Sequence, residues 1–155
     1  MPLKIDPAFR RIVRERLRHL DFHECYQCGK CSASCPVFHR DPRLLNPRRI
    51  IHMAALGIRE VLTDPSLWRC TTCYECVEGC PQIVNFVDLV VALRNLAYEE
   101  GLAPKGVQDE VKAVLKQGFV YPITGRVQQI RERLGLPALS QDLQDTLALF
   151  QGGEA

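Results

Sequence analysis

Apolar positions recur along the chain at intervals of three and four residues, the period of a helix packed on one face. Between Pro7 and Leu20, the residues Phe9, Ile12, Val13, Leu17 and Leu20 share one side, while Arg10, Arg11, Arg14, Arg16 and Arg18 occupy the other. A second helix is predicted after Asn46. Asparagine suits the N-cap, Pro47 the first helical position and Gly57 the residue past the end, with Ile50, Ile51, Ala54 and Ala55 marking the apolar side. Asp64-Pro65 repeats the start signal and opens a short helix that ends near Trp68-Arg69. The stretch from Ile83 to Glu100, with Gly101 as its stop, is the longest helix candidate. It carries Ile83, Val84, Phe86, Val87, Leu89, Val90, Val91, Leu93, Leu96 and Ala97, which is too wide for a single stripe. Its β-branched content makes a strand the rival. Its length and the flanking Pro81 and Gly101 favour a helix buried on most sides. Three amphipathic helices follow: Pro104 to Lys116, with Val107, Val111, Val114 and Leu115 inside and Gly118 closing it; Gly125 to Leu134; and Ser140 to Phe150, capped by Ser140. The tail from Gln151 to Ala155 is expected to fray. The pattern predicts an all-α fold.

Composition narrows the setting. A chain of 155 residues, 46% hydrophobic, can bury a core of its own. The opening Met1-Pro2-Leu3-Lys4-Ile5-Asp6-Pro7 lacks the apolar run of a signal peptide. The longest unbroken apolar stretch, Leu89 to Leu93, falls far short of the roughly 20 residues of a membrane span. The expectation is a cytoplasmic protein with no membrane insertion. Eight cysteines in that setting point to metal rather than disulfides.

The cysteines fall into two equal groups. The first reads Cys25-Tyr26-Gln27-Cys28-Gly29-Lys30-Cys31-Ser32-Ala33-Ser34-Cys35-Pro36, and the second Cys70-Thr71-Thr72-Cys73-Tyr74-Glu75-Cys76-Val77-Glu78-Gly79-Cys80-Pro81. Each is C-x2-C-x2-C-x3-C-P, and no cysteine is left over. Three cysteines at i, i+3 and i+6 let one loop wrap three corners of an iron–sulfide cube. In two-cluster ferredoxins the fourth ligates the other cube. The expected ligand sets are therefore Cys25, Cys28, Cys31 and Cys80 for one [4Fe–4S] cluster, and Cys70, Cys73, Cys76 and Cys35 for the other. This crossing makes holding the clusters and folding one event. Pro36 and Pro81 turn the chain after the last ligand. The small residues Gly29, Ser32, Ala33, Ser34 and Gly79 leave backbone N–H groups room to approach cluster sulfurs. Zinc sites pair one C-x2-C with a distant second pair, and a third cysteine so close, twice over, argues against them. The formal charge of +2 counts every cysteine as a thiol; two anionic clusters would reverse its sign.

The remaining polar residues have plainer readings. The arginines between Arg10 and Arg18 are interleaved with Glu15 and apolar positions, as in a solvated or docking helix face, so nucleic acid is not expected. Arg40, Arg43, Arg48 and Arg49 follow the first motif and can offset cluster charge, meet an acidic partner or simply face water. His19, His23, His39 and His52 replace no missing cysteine and are read as structural or surface. Tyr26, Tyr74 and Trp68 lie beside ligands, where they are expected to shield the clusters from water.

The chain resembles the C subunit of heterodisulfide reductase. The resemblance rests on the first cysteine motif, Trp68-Arg69-Cys70-Thr71-Thr72-Cys73-Tyr74, Ile83-Val84, Arg94-Asn95-Leu96-Ala97, Glu100-Gly101 and Arg133-Leu134-Gly135-Leu136-Pro137, and spans about residues 20 to 140. With the helical segment between the motifs, it implies an α-helical ferredoxin fold binding two [4Fe–4S] clusters. The organisation is then an N-terminal helical arm (1–24), a di-cluster module (25–101) and a C-terminal helical extension (102–155). The implied role is a non-catalytic electron relay between a flavin- and iron–sulfur-containing A subunit and a B subunit whose CCG domains act on a disulfide. This chain has neither a CCG motif nor G-x-G-x-x-G, so flavin and disulfide chemistry are assigned to partners. An iron–sulfur relay of a quinone-linked dehydrogenase is the first alternative. Succinate-type relatives add a [2Fe–2S] domain and glycerol-3-phosphate types add CCG domains, neither of which is present here. A DNA-binding iron–sulfur sensor using the arginine arm is the second.

Overall fold

A computed structural model describes residues 4–121, 123–137 and 139. Eight α-helices occur among them: α1 Pro7–Arg16, α2 Lys30–Ala33, α3 Pro36–Arg40, α4 Pro47–Leu56, α5 Glu75–Glu78, α6 Phe86–Glu99, α7 Lys105–Gln117 and α8 Gly125–Arg133. Short 3₁₀ turns at Phe22–Glu24, Arg59–Leu62 and Pro65–Arg69 connect them. No strand forms among the described residues; a lone antiparallel bridge joins Ile5 to Ile58. The fold is all-α, as the periodicity requires. Two compact units divide it, one ending at Ala103 and the other beginning at Pro104. Among the described residues no helix is long and apolar enough to cross a membrane.

The caps expected at Asn46 and Asp64 are in place, and Asp6 adds one that the pattern did not mark. Asp6 accepts from Ala8 N and Phe9 N at the start of α1, and Asn46 Oδ1 accepts from Arg49 N at 3.2 Å at the start of α4. Asp64 Oδ1 accepts from Ser66 N at 2.9 Å, although the segment it opens winds as a 3₁₀ turn rather than an α-helix. Two boundaries differ from the sequence expectation. The helix expected from Pro7 to Leu20 stops at Arg16, yet Leu17 and Leu20 stay buried as the chain tightens into turns. The helix expected from Ile83 begins at Phe86, because Asn85 caps it through Asp88 N at 3.1 Å and Ile83 takes a left-handed φ of 53°. The helix expected over Ser140 to Phe150 lies outside the described residues.

The core of the first unit joins α1, α4 and α6. Phe9 and Val13 of α1 meet Ile50, Ile51 and Ala54 of α4, and α6 supplies Phe86, Val87, Leu89, Val90, Leu93, Leu96 and Ala97. Val91 at 43% exposure, with Asp88, Asn95 and Glu99, leaves one narrow wet strip on an otherwise covered helix. In the second unit the apolar stripes are thinner. Val107, Val111 and Val114 are half-buried, and Leu115 is exposed, so the expected inward face of α7 is only partly covered.

Two contacts set the frame around the cysteine loops. Gly57 ends α4 with φ 73°, and a Cβ there would lie 2.4 Å from Arg10 Cβ and 2.9 Å from its Cα. Only glycine lets α1 lie this close. Arg94 of α6 forks across to the 3₁₀ turn ahead of the second motif: Nε donates to Leu67 O and Nη2 to Cys70 O, each at 3.0 Å, with the guanidinium 5.6 Å from the Trp68 ring centroid. Its half-burial lowers its pKa, and the nearby Cys70 opposes that shift.

Gly57→Ala is expected to cost about 3 kcal/mol, from roughly 1–2 kcal/mol for a side chain in the left-handed region and roughly 1–3 kcal/mol for overpacking. An anaerobic denaturation midpoint checks this; an unchanged midpoint would contradict the close approach of α1. Arg94→Met is expected to cost about 2 kcal/mol, since two carbonyls lose a charged donor. Faster iron release from the loop bearing Cys70 is expected to accompany it, read by chelator-trapping kinetics.

Candidate metal centres

The two motifs share one backbone path, because equal spacing of the same ligands gives each loop the same problem. Cys25 and Cys70 open the loops with φ,ψ of −65°,118° and −67°,127°. Gln27 and Thr72 then take φ of 57° and 53°, and Gly29 and Tyr74 take 83° and 64°. One helical turn follows in each, α2 and α5, closing at Ser34 (−93°,−7°) and Gly79 (−83°,−5°). Glycine enters the left-handed region without strain, whereas Gln27, Thr72 and Tyr74 each carry a steric cost for it of order 1–3 kcal/mol. Such strain persists only where something else fixes the loop. The likeness ends after the final cysteine. Cys35-Pro36 runs into α3, while Cys80-Pro81 turns through Ile83 before α6.

The short helices α2 and α5 lie against each other, so the loops meet. Ser34 Oγ donates to Lys30 O at 2.9 Å and reaches Glu75 O at 3.5 Å, and a Cβ on Gly79 would stand 3.6 Å from Lys30 Cε. Each of the two cysteine cavities draws from both motifs. One is lined by Cys25, Cys28, Cys31 and Cys80, together with Tyr26, Gln27, Arg48 and Val84. The other is lined by Cys35, Cys70, Cys73 and Cys76, together with Tyr74, Leu45, Phe86 and Val87. All eight cysteines are free thiols. Among the described residues no three histidine, cysteine or acidic side chains close on a single ion. The sulfurs stand around voids instead. That arrangement suits a polynuclear core with a metal at each corner better than one tetrahedral zinc, whose sulfurs sit about 2.3 Å from a common centre.

Electrostatics couples the thiols within each cavity and across to the other. Burial raises the pKa of Cys31, with Cys25 and Cys80 adding to the rise against hydrogen bonds from Ser32. Burial pushes Cys76 up to about 12, helped by Cys70, Cys31, Cys35 and Cys73. These sulfurs resist ionisation next to one another, and an iron core offers the cationic charge that would let them ionise together. The donor chemistry therefore fits iron–sulfur clusters. Cys28 and Cys73 are exposed, so each cavity has a side open to solvent, while Cys35 and Cys76, both at the second cavity, are buried.

Backbone and side-chain N–H groups already point at sulfur. Val84 N donates to Cys80 Sγ at 3.3 Å, and Gln27 N donates to Cys25 Sγ at 3.4 Å. Ser32, buried between ligands, donates from Oγ to Asn46 Oδ1 at 2.9 Å and accepts from Arg48 N at 3.2 Å, which pins α2 to the start of α4. Asn46 thus serves the loop as well as the helix, and only the cap role shows in local sequence. The flanking aromatics shield less than expected. Tyr26 is 72% and Tyr74 46% exposed at the cavity rims, and Trp68 lines neither cavity but lies under Arg94. Of the arginines after the first motif, Arg48 lines the first cavity, Arg49 pairs with Asp64 at 2.8 Å and Arg43 with Asp41 at 2.9 Å. His39 Nε2 bonds to Ala33 O, a structural use.

Comparison with known proteins agrees with this chemistry. Residues 21–84 match the 4Fe–4S dicluster domain family. The C subunit of the ferredoxin:CoB–CoM heterodisulfide reductase of Methanosarcina mazei is 37% identical over 125 residues, covering 81% of this chain and 76% of that protein. The iron–sulfur C subunit of the CoB–CoM heterodisulfide reductase of Methanopyrus kandleri is 38% identical over 133 residues, covering 85% and 66%. An iron–sulfur C subunit of the CoB–CoM heterodisulfide reductase of Methanocaldococcus jannaschii is 36% identical over 120 residues, covering 77% and 63%. This chain thus spans a little under two-thirds of the length of the last two relatives. A dicluster iron–sulfur domain held in an all-α frame, with identity of this level across most of the chain, means that it belongs to the family of heterodisulfide reductase C subunits.

Proposed function

We propose that the chain is the electron-relay subunit of a heterodisulfide reductase-like complex. It would hold two [4Fe–4S] clusters and pass electrons between a flavin- and iron–sulfur-containing A subunit and a CCG-type B subunit that acts on a disulfide. Cys25, Cys28, Cys31 and Cys80 are the ligands of one cluster, and Cys70, Cys73, Cys76 and Cys35 those of the other. When bound, the clusters supply one-electron sites. The observation that carries this reading is the exchange of cysteines: Cys80 lines the cavity of the first motif and Cys35 that of the second. The relatives' names, each that of a heterodisulfide reductase C subunit, support a place in a multisubunit assembly.

The chain's own residues have three tasks on this reading. The cysteines bind. Ser32, Asn46 and Arg94 hold the loops at fixed distances from α4 and α6, so reduction need not move the ligands. Leu45, Phe86 and Val87 exclude water from the second cavity. The solvent-facing Cys28 and Cys73 leave one edge of each site accessible to another protein of the complex.

Anaerobic reconstitution is expected to give eight irons per chain; stoichiometric zinc or clearly less iron would defeat the reading. The crossing has its own test. Cys80→Ser is expected to remove the same electron paramagnetic resonance signal as Cys25→Ser, and Cys35→Ser the same one as Cys70→Ser. If Cys80→Ser matches Cys73→Ser instead, each motif binds its own cluster. In a complex assembled with A- and B-type subunits, Cys28→Ser and Cys73→Ser are each expected to stop electron flow to the disulfide while flavin stays bound. Wild-type turnover in either variant would count against the relay.

A further inference from the structure

Gln27 lies between two ligands, Cys25 and Cys28, and its side chain donates to a ligand sulfur. Its backbone is in the left-handed region at φ 57°. That conformation brings two donors to one sulfur: its own N–H and its side-chain Nε2 both lie 3.4 Å from Cys25 Sγ. The other end of the same carboxamide, Oε1, is buried with no hydrogen-bond partner. An unpartnered buried oxygen costs about 1–3 kcal/mol, so the orientation needs a reason. The reverse orientation would set the Oε1 lone pairs against the Cys25 sulfur, and an ionised thiolate would repel them. The observed orientation is the one a thiolate ligand selects.

The second motif supplies an internal comparison. Thr72 occupies the position equivalent to Gln27, with nearly the same backbone angle, φ 53°. Its hydroxyl donates to Thr71 O at 2.7 Å rather than to a sulfur. The two loops therefore share this backbone angle, and at this position the first carries a side-chain donor aimed at a ligand sulfur where the second carries a hydroxyl turned to its own backbone. Reduction adds negative charge to a cluster and its thiolates. A donor aimed at a ligand sulfur stabilises that added charge, so it favours the reduced state and raises the potential.

We propose that the Gln27 carboxamide is a potential-setting group for the cluster ligated by Cys25, raising its reduction potential, and that replacing it with threonine removes that contribution. The inference rests on the ligand assignment proposed above. Gln27 acts through Cys25 and is a positioning residue, not a catalytic one.

The test is an EPR-monitored redox titration of the reconstituted holoprotein with iron counted in each sample. Gln27→Thr is the first variant, since threonine already tolerates this backbone angle at position 72. Gln27→Met, which keeps length and lacks donors, is the second. In both, the midpoint of the signal lost in Cys25→Ser is expected to shift negative while the other midpoint and the iron content hold. Thr72→Gln is expected to shift the other midpoint positive. Unmoved midpoints in the two Gln27 variants at full iron content would overturn the proposal and leave the ligand assignment standing. Loss of that cluster from both variants would also overturn it, since Gln27 would then serve retention rather than potential. Wild-type protein that takes up no iron would instead remove the ligand assignment itself.

Discussion

Sulfur crowding is the constraint on which the rest of this molecule depends. Eight thiols line two adjoining cavities, and Cys31 and Cys76 are pushed away from ionisation by burial and by the thiols beside them. A polypeptide gains nothing from gathering such groups unless a cation joins them, because buried like charges repel and buried donors without partners cost free energy. The surrounding helices can then be understood as the frame that brings sulfurs from distant parts of the chain to the same void, since neither motif lines its cavity alone.

The frame is built so that the loops themselves need little internal order. Residues in the left-handed region, Gln27, Thr72 and Tyr74, would not hold that conformation in a free peptide. They are over-determined from outside. Ser32 and Asn46 clamp the first loop to α4, and Arg94 clamps the second to α6. Gly57 lets α1 close over the far end of α4, and Arg59, beside it, bonds to Glu100 at 2.7 Å and lies 5.6 Å from the Phe9 ring centroid. Exposed ion pairs of this kind contribute little alone. The apolar contacts among Phe9, Ile50, Ile51 and Leu93 carry the frame, and the polar links set its register.

How much of this could be read from the sequence depends on whether the cause is local. The caps at Asn46 and Asp64 were legible because a side chain and the amide it serves lie within three residues. The cysteine spacing was legible because the geometry of the metal core imposes it. The early end of α1 was not: Leu17 and Leu20 keep helical spacing after the helix has ended, so the hydrophobic pattern continues past the hydrogen bonds. The late start of α6 was hidden for a related reason. Ile83 looks like a core residue but is 81% exposed, because the chain must first turn Val84 N toward Cys80 Sγ. Arg94 is marked in the sequence only by family resemblance. Its partners are the carbonyls of Leu67 and Cys70, and no spacing rule finds a bond across that separation.

The same division between local and distant causes explains why a repeated motif need not give two equal sites. Identical spacing gives both loops one backbone, down to matched angles at Gln27 and Thr72. What surrounds each loop is not repeated. The first cavity is walled by Arg48 and by polar Gln27; the second by Leu45, Phe86 and Val87. A reduced cluster gains negative charge, so a cationic, donor-rich wall favours reduction and an apolar one opposes it. The asymmetry arises from Arg48 on α4, Phe86 and Val87 on α6, Leu45 just before α4 and Gln27 in the first loop, and not from the cysteines. A gradient between two otherwise matched sites would give electron transfer a preferred direction within one chain, through side chains that are not themselves ligands.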